Sequence, residues 1–343
     1  MVDIKNKQII LKNYIKGFPE ISDFSFKESI VSDIQTGQVL LKTIYISLDP
    51  YMRGMMSGLR SYTDPVKIGA PIPAATIGEV ILSKSEKFNT GDFVVGYGGW
   101  QSFWVDNEDK LRIITSSSIP LSYYLGILGM PGHTAYSGVI GLSGIRPNET
   151  LIVSVATGGV GSVVGQIAKI HGANVIGIAS SKEKCDYAIN ELGFNFCFNR
   201  NTDLKENLLK YCTEGIDIYF ENVGGQIFWD VLESMNLHGR VILCGFISQY
   251  NQLIKPEVKD KSVNLFRNLV VKRLKIYGLL VNDWKHLYEQ FHKDCLNWIQ
   301  QGKLKYKVDT VKGIENTVNA FQGLLAGKNF GKLVVQVNDD PTL

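Results

Sequence analysis

The stretch "TLIVSVATGGVGSVVGQIAKIHGANVIGIASSKEK", residues 150–184, decides the fold. "TLIVSV" is a short apolar run of the kind that forms a buried strand, and it feeds without a spacer into Ala156-Thr157-Gly158-Gly159-Val160-Gly161. Helical spacing follows as far as Gly172, and "NVIGIAS" then reads as a second strand. Strand, glycine loop, helix and strand make a βαβ unit whose free amides at the helix start suit a dinucleotide pyrophosphate. In this reading Gly158 lets the backbone approach the phosphates, Gly159 and Val160 complete the loop, and Gly161 lets the helix pack tightly on the strand. Ala156 stands where the fingerprint has its first glycine, which requires a negative φ at that position. The competing reading is a structural glycine turn that binds nothing.

The tip of the second strand separates NAD from NADP. An NAD site presents an acidic residue there for the ribose hydroxyls. This chain has "IASSKEK", with Lys182 and Lys184, and Arg200 follows at the end of the next strand. Serine and lysine attract a 2′-phosphate that a carboxylate would repel, so NADPH is the expected cofactor. The alternative is that both lysines are solvated charges at a helix start.

Outward from this stretch, strands and helices alternate from about residue 126 to 305, the pattern of a doubly wound parallel sheet. "KEKCDYAINELG" and "IFWDVLESMN" read as its helices, "FNFCFN", "IDIYFENVG" and "RVILCGF" as its strands. Residues 1–125 instead give short strand signals between turn clusters: "KQIILKNY", "QVLLKTIYISL", "AATIGEVILS", "DFVVG" and "QSFWV". The tail carries a helix, "GIENTVNAFQGLLAGK", and a strand, "GKLVVQV", too short to form a domain alone. By economy residues 306–343 return to the first unit, giving an α/β protein with a discontinuous β-rich domain around a Rossmann domain. "VKRLKIYGLL" reads as an edge strand able to pair across a two-fold axis.

The chain has 343 residues, 45% hydrophobic and 20% charged, enough for two buried cores. Its net charge of +3, without a basic or acidic block, argues against nucleic acid and anionic membranes as partners. The N-terminal stretch lacks a leader pattern, and the longest apolar run, "IPLSYYLGILGM", is too short to span a bilayer. Five dispersed cysteines point to reduced thiols in a cytoplasmic setting. No His/Cys group has metal-ligand spacing, so no metal site is expected.

"SLDPYMRG", "GMPGHTAYSG", "IVSVATGGVGSVVGQIAK", "IDIYFENVGG", "CGFISQYN" and "KNFGKLVV" occur in this order over nearly the whole chain. Together they resemble the zinc-independent medium-chain reductases, the group of leukotriene B4 12-hydroxydehydrogenase/prostaglandin reductase, curcumin reductases and alkenal double-bond reductases. The resemblance implies a GroES-like catalytic domain interrupted by a Rossmann domain. It also implies NADPH-dependent reduction of the carbon–carbon double bond of small α,β-unsaturated ketones and aldehydes. Carried onto this sequence, it assigns Lys184 to the 2′-phosphate and Asn222 and Asn329 to the cofactor. Cys244, Gly245, Phe246, Ile247, Ser248 and Tyr250 would border the nicotinamide ribose, with Leu279, Leu280 and Val281 along the nicotinamide. The family usually has Tyr where this chain has Arg200, leaving Arg200 to stack on the adenine or reach the phosphate. A homodimer is a further family expectation.

Where zinc relatives carry Cys and His ligands, this chain reads "YISLDPYMRG" and "SYTDPVKIGA". Without a Lewis acid, conjugate reduction is easier than alcohol oxidation, because a few donors aimed at an enolate oxygen suffice. Tyr250 and the ribose 2′-hydroxyl are the candidate donors, Tyr250 by catalysis or merely by packing on the ribose, and the α-carbon proton comes from Tyr250 or water. Tyr51, Tyr62 and Met130 are candidate pocket walls. Arg53 is open to a substrate carboxylate or a structural ion pair, and His133 reads as structural. A quinone reductase and a non-catalytic NADPH sensor are the competing functions.

Overall fold

The computed structural model describes residues 4–31, 33–115, 118–252 and 260–343. These form two compact units, one of residues 4–125, 250–252 and 308–343, the other of 126–249 and 260–307.

The second unit is built from the stretch quoted first. Strand β1 (Thr150–Ser154), helix α1 (Gly161–Ile170) and strand β2 (Asn174–Ala179) lead it. Helix α2 (Lys182–Asn190), β3 (Phe196–Asn199), α3 (Leu204–Tyr211) and β4 (Ile216–Glu221) follow. Helix α4 (Gly225–Glu233), β5 (Met235–Leu243), α5 (Ser262–Lys272) and β6 (Lys275–Gly278) complete the sheet. The six strands are parallel in the order β3-β2-β1-β4-β5-β6. Helices on both faces explain why β1 is buried at every residue rather than alternately. Ile152, Ile176, Tyr219 and Val241 from four strands pack with Leu204, Leu208, Val231 and Leu232 from the helices. Burial of each such aliphatic side chain contributes about 2 kcal/mol. Gly172, at φ +79°, turns the chain out of α1 into β2. The sequence pattern ran α4 on through Asn236, but Met235 pairs with Ile216 and already belongs to β5.

In the first unit a seven-stranded sheet is centred on Gln38–Ser47. That strand is flanked by Thr76–Ser83 and, at its other end, by Lys332–Gln336, both antiparallel. Lys332–Gln336 in turn pairs parallel with Val308–Lys312, which the sequence reading did not identify. Lys5–Leu11 forms a separate hairpin with Phe24–Ile30, another strand not foreseen. The core centres on Trp100, stacked on Phe24 at 5.8 Å and edge-on to Phe321 of the helix Thr317–Leu325 at 5.6 Å. Beneath it Lys332 Nζ donates to Asp49 Oδ1 at 2.6 Å and to the Leu48 carbonyl at 2.8 Å, both side chains being buried. This pair clips the last strand to the turn that leads into Tyr51.

The turn 250–252 lies in sequence within the Rossmann stretch, yet it clusters with the first unit. Arg53 Nε donates to Asn251 Oδ1 at 3.2 Å and accounts for the attachment. Among the described residues no helix is long and apolar enough to cross a membrane.

Candidate active site

The C-terminal ends of all six strands of the parallel sheet carry residues singled out in the sequence. At the end of β1 the left-handed residue is Val155, at φ +57°, while Ala156 is fully buried and avoids positive φ. The loop thus satisfies the condition that Ala156 imposes. Gly158 N donates to the Val155 carbonyl at 2.9 Å. A Cβ on Gly158 would lie 2.6 Å from Val155 Cγ1, and one on Gly161 would collide with the Val155 carbonyl oxygen. The glycines are therefore imposed first by contact of the loop with itself. The Gly159 carbonyl accepts from the Tyr306 hydroxyl at 3.2 Å, and Val160 forms the N-cap of α1.

At the tip of β2, Ser181 caps α2 by accepting from Lys184 N at 3.3 Å. Lys184 Nζ donates to Ser180 Oγ at 3.2 Å, and Asn201 Nδ2 donates to the Ser180 carbonyl at 3.2 Å. Arg200 reaches the same tip, its amide donating to the Ala179 carbonyl at 2.8 Å. Lys182 follows the alternative of a charge at an exposed helix start, paired along the helix face with Asp186 at 2.6 Å. An i,i+4 neighbour claims it, leaving Ser180, Lys184, Arg200 and Asn201 as the polar group at the tip.

Between β1 and β4 the strand order reverses, which is where open α/β sheets bind ligands. There Asn222 Nδ2 donates to the Ser154 carbonyl and Asn222 N to Ser154 Oγ, both at 2.8 Å. Beyond β5, residues 244–248 form a turn bonded to the end of β4. Ile247 N donates to the Asn222 carbonyl at 3.1 Å, and Ser248 Oγ to the Val223 carbonyl at 2.6 Å. Within it Gly245 N donates to the Glu221 carbonyl at 3.1 Å, while Phe246 is exposed. Burial, and then the Glu221 carboxylate, push the Cys244 thiol up to about 12, so it stays protonated. After β6, Leu279 N donates to the Leu243 carbonyl at 2.9 Å. Leu279 is buried against Gly138, while Leu280 and Val281 are half-exposed.

The first unit gathers a second set. Tyr51 precedes the short helix Met52–Met55. Burial, then Asp49, Tyr97 and Tyr62 hold its phenol well above the ordinary value. Tyr51, Tyr62, Tyr97 and Asp49 thus share one electrostatic neighbourhood. Tyr97, 63% exposed, was missed in the sequence. Its signal was an aromatic between a strand end and glycines, "VVGYGGW". Arg53 fits neither expectation. It is fully buried, donating from Nη2 to the Ile15 carbonyl at 3.0 Å and from Nη2 and Nε to the Gly17 carbonyl at 2.8 and 3.0 Å. Burial lowers it to about 10, so it stays cationic near neutral pH while serving backbone carbonyls rather than a carboxylate.

Tyr250 lies in the turn that Asn251 fixes to Arg53. Asn329 Nδ2 donates to the Gly331 carbonyl at 2.8 Å. Met130 belongs to the other unit, at the start of the helix Met130–Tyr136. In that helix His133 is structural as expected: Nε2 is 3.0 Å from the Trp284 carbonyl and the ring stacks on Phe291. Among the described residues no three His, Cys, Asp or Glu side chains are grouped to hold a metal ion.

Known proteins match this arrangement along the chain. Residues 7–114 match a family described as the N-terminal domain of oxidoreductase, and residues 159–300 one described as zinc-binding dehydrogenase. An NADPH-dependent curcumin reductase of Escherichia coli is 40% identical over 338 residues, covering 98% of each chain. The chain belongs to the zinc-independent medium-chain reductases. A 2-alkenal reductase (NADP(+)-dependent) of Nicotiana tabacum is 42% identical over 98% of each chain. The crystal structure of CurA from Vibrio vulnificus in complex with NADPH superposes with TM-score 0.93 at 43% identity, covering 97% of this chain and 100% of that one. As a medium-chain reductase, the chain has the β-rich first unit and Rossmann second unit of that fold.

Replacement of Lys184 by Ala tests the β2 tip. The KM for NADPH is expected to rise about tenfold, as loss of a charge-assisted contact predicts, with little change for NADH. Equal effects on both cofactors in steady-state kinetics would refute the assignment.

Proposed function

We propose that this chain reduces the conjugated carbon–carbon double bond of small α,β-unsaturated ketones and aldehydes with NADPH. The observation that carries the reading is the convergence of the phosphate loop, the Ser180–Lys184 tip and the Asn222 crevice on one sheet edge, in a chain so similar to curcumin and alkenal reductases. The residues fit the cofactor. Gly158–Gly161 present the start of α1 to the pyrophosphate, and Lys184 with Ser180, assisted by Arg200, meets the 2′-phosphate. In the second unit Asn222, the turn of residues 244–248 and Leu279–Val281 bound the nicotinamide end, and Asn329 is the first unit's candidate for the cofactor.

When bound, NADPH supplies the hydride for the substrate β-carbon. The protein's part is to hold the substrate carbonyl where hydrogen-bond donors meet the developing enolate oxygen. Tyr250 donates to that oxygen, and the α-carbon takes its proton from Tyr250 or from water. Tyr51 is suited to line the same pocket as a neutral phenol, since burial and then Asp49 hold it well above its ordinary value. Tyr62 and Tyr97 complete its walls within the first unit, and Met130 is the second unit's candidate for contact with the substrate.

We also infer a homodimer. β6 is an edge strand of the parallel sheet. Helix α5 beside it exposes Val263, Phe266 and Val270 at helical spacing, at 76%, 62% and 73%. Among the described residues, an unpaired edge and an uncovered apolar stripe on consecutive elements fit a second copy of the chain. The five free thiols fit a reducing compartment, the cytoplasm.

Purified protein should consume NADPH with 3-nonen-2-one or 4-hydroxynonenal and release the saturated carbonyl, identified by mass spectrometry. Tyr250→Phe should lower kcat about 10²-fold while preserving NADPH binding. Turnover of a quinone alone would contradict the substrate class, and binding without turnover would favour a sensor. Phe266→Glu with Val270→Glu should give a monomer in light scattering, whereas a dimer of unchanged mass would remove the proposed interface.

A further inference from the structure

Glu221, the last residue of β4, is 1% exposed. Among the described residues its hydrogen-bond partners are all neutral. Oε2 accepts from Ser154 Oγ at 2.8 Å, and Oε1 accepts from Val223 N at 2.9 Å and from Gly224 N. Its main-chain carbonyl accepts from Cys244 N at 2.9 Å and Gly245 N at 3.1 Å. Ser154 Oγ in turn accepts from Asn222 N at 2.8 Å. One residue therefore joins the ends of β1, β4 and β5 across the point where the strand order reverses.

A buried carboxylate without a cation is costly for stability, and burial accordingly raises its pKa above the ordinary carboxylate value. Fold stability alone does not account for an acid here. Its geometry does, because only a carboxylate accepts on both sides at once. A glutamine in its place must turn its amino group either toward the Val223 and Gly224 amides, donor against donor, or toward Ser154. In the second case the Ser154 hydroxyl proton loses its acceptor. Either way one joint opens while the buried charge disappears.

We propose that Glu221 is a positioning residue for NADPH, holding Asn222 and the turn of residues 244–248 in the geometry that receives the nicotinamide ribose. The inference rests on the NADPH reading above. It separates binding from stability, since the charge that organises the crevice is unfavourable for folding.

The test uses the full-length protein, with NADPH titrated by fluorescence and thermal unfolding followed in parallel. Glu221→Gln is expected to raise the NADPH Kd about tenfold, with Tm unchanged or higher. The KM for the enone at saturating NADPH is expected to stay as in the wild type. Ser154→Ala removes one arm of the clasp, keeps the carboxylate and should weaken NADPH in the same direction. It serves as the deciding variant should Glu221→Gln not fold. An unchanged Kd in the folded variants overturns the proposal, as does a loss of binding that only parallels a fall in Tm. Wild-type protein that does not bind NADPH sinks the underlying cofactor reading, an outcome distinct from binding that the variants leave untouched.

Discussion

Helix α1 begins so close to the end of β1 that a side chain on Gly161 would collide with the Val155 carbonyl. This approach sets up much of the cofactor edge. It aims the start of the helix at the loop and leaves Val155 in left-handed conformation, while the pairing of β1 with β4 brings Ser154 beside Asn222. A β-branched side chain rarely adopts that conformation, and strain of this kind gathers at functional sites. The strand order β3-β2-β1-β4-β5-β6 does the rest by placing every loop of interest on one edge.

The first unit follows a different constraint. Its last strand comes from the far end of the chain and is fixed by the buried Lys332–Asp49 pair rather than by packing alone. Such a pair is weak evidence for stability, because desolvation offsets much of the attraction. Burial indeed lowers the Lys332 pKa, against the opposing pull of Asp49. The pair specifies instead where the strand ends and how residues 48–51 turn, and the same Asp49 adds to burial in raising the Tyr51 phenol above its ordinary value.

Much of this was legible in the sequence because the Rossmann unit obeys local rules. Continuous apolar runs, a glycine loop and helical periods located β1 through β5, and β6 lay within a run read as an edge strand. The strands Phe24–Ile30 and Val308–Lys312 escaped because "FSFKESI" and "VDTVK" carry charges on half-exposed faces and gain their pairing from distant partners. Side-chain roles were harder to read. Spacing alone offered both Lys182 and Lys184 at the strand tip, and only the structure shows Lys182 paired with Asp186 one helical turn on. Arg53 was open to a substrate carboxylate or a structural ion pair, but it bonds the carbonyls of residues 15 and 17 and the side chain of Asn251 over sequence distances that no motif encodes. Glu221 sat inside the quoted "FENVGG" unnoticed, since its importance lies in bonds to Ser154 and to residues 244–245.

The central claim is that a hydride passes to the β-carbon of a conjugated carbonyl compound. The most direct measurement is reduction of 3-nonen-2-one with NADPH deuterated at the transferred position of the nicotinamide, followed by NMR of the product. The account predicts a saturated ketone with deuterium at the β-carbon and solvent hydrogen at the α-carbon. Deuterium on the carbonyl carbon of an unsaturated alcohol would show carbonyl reduction instead and would contradict it.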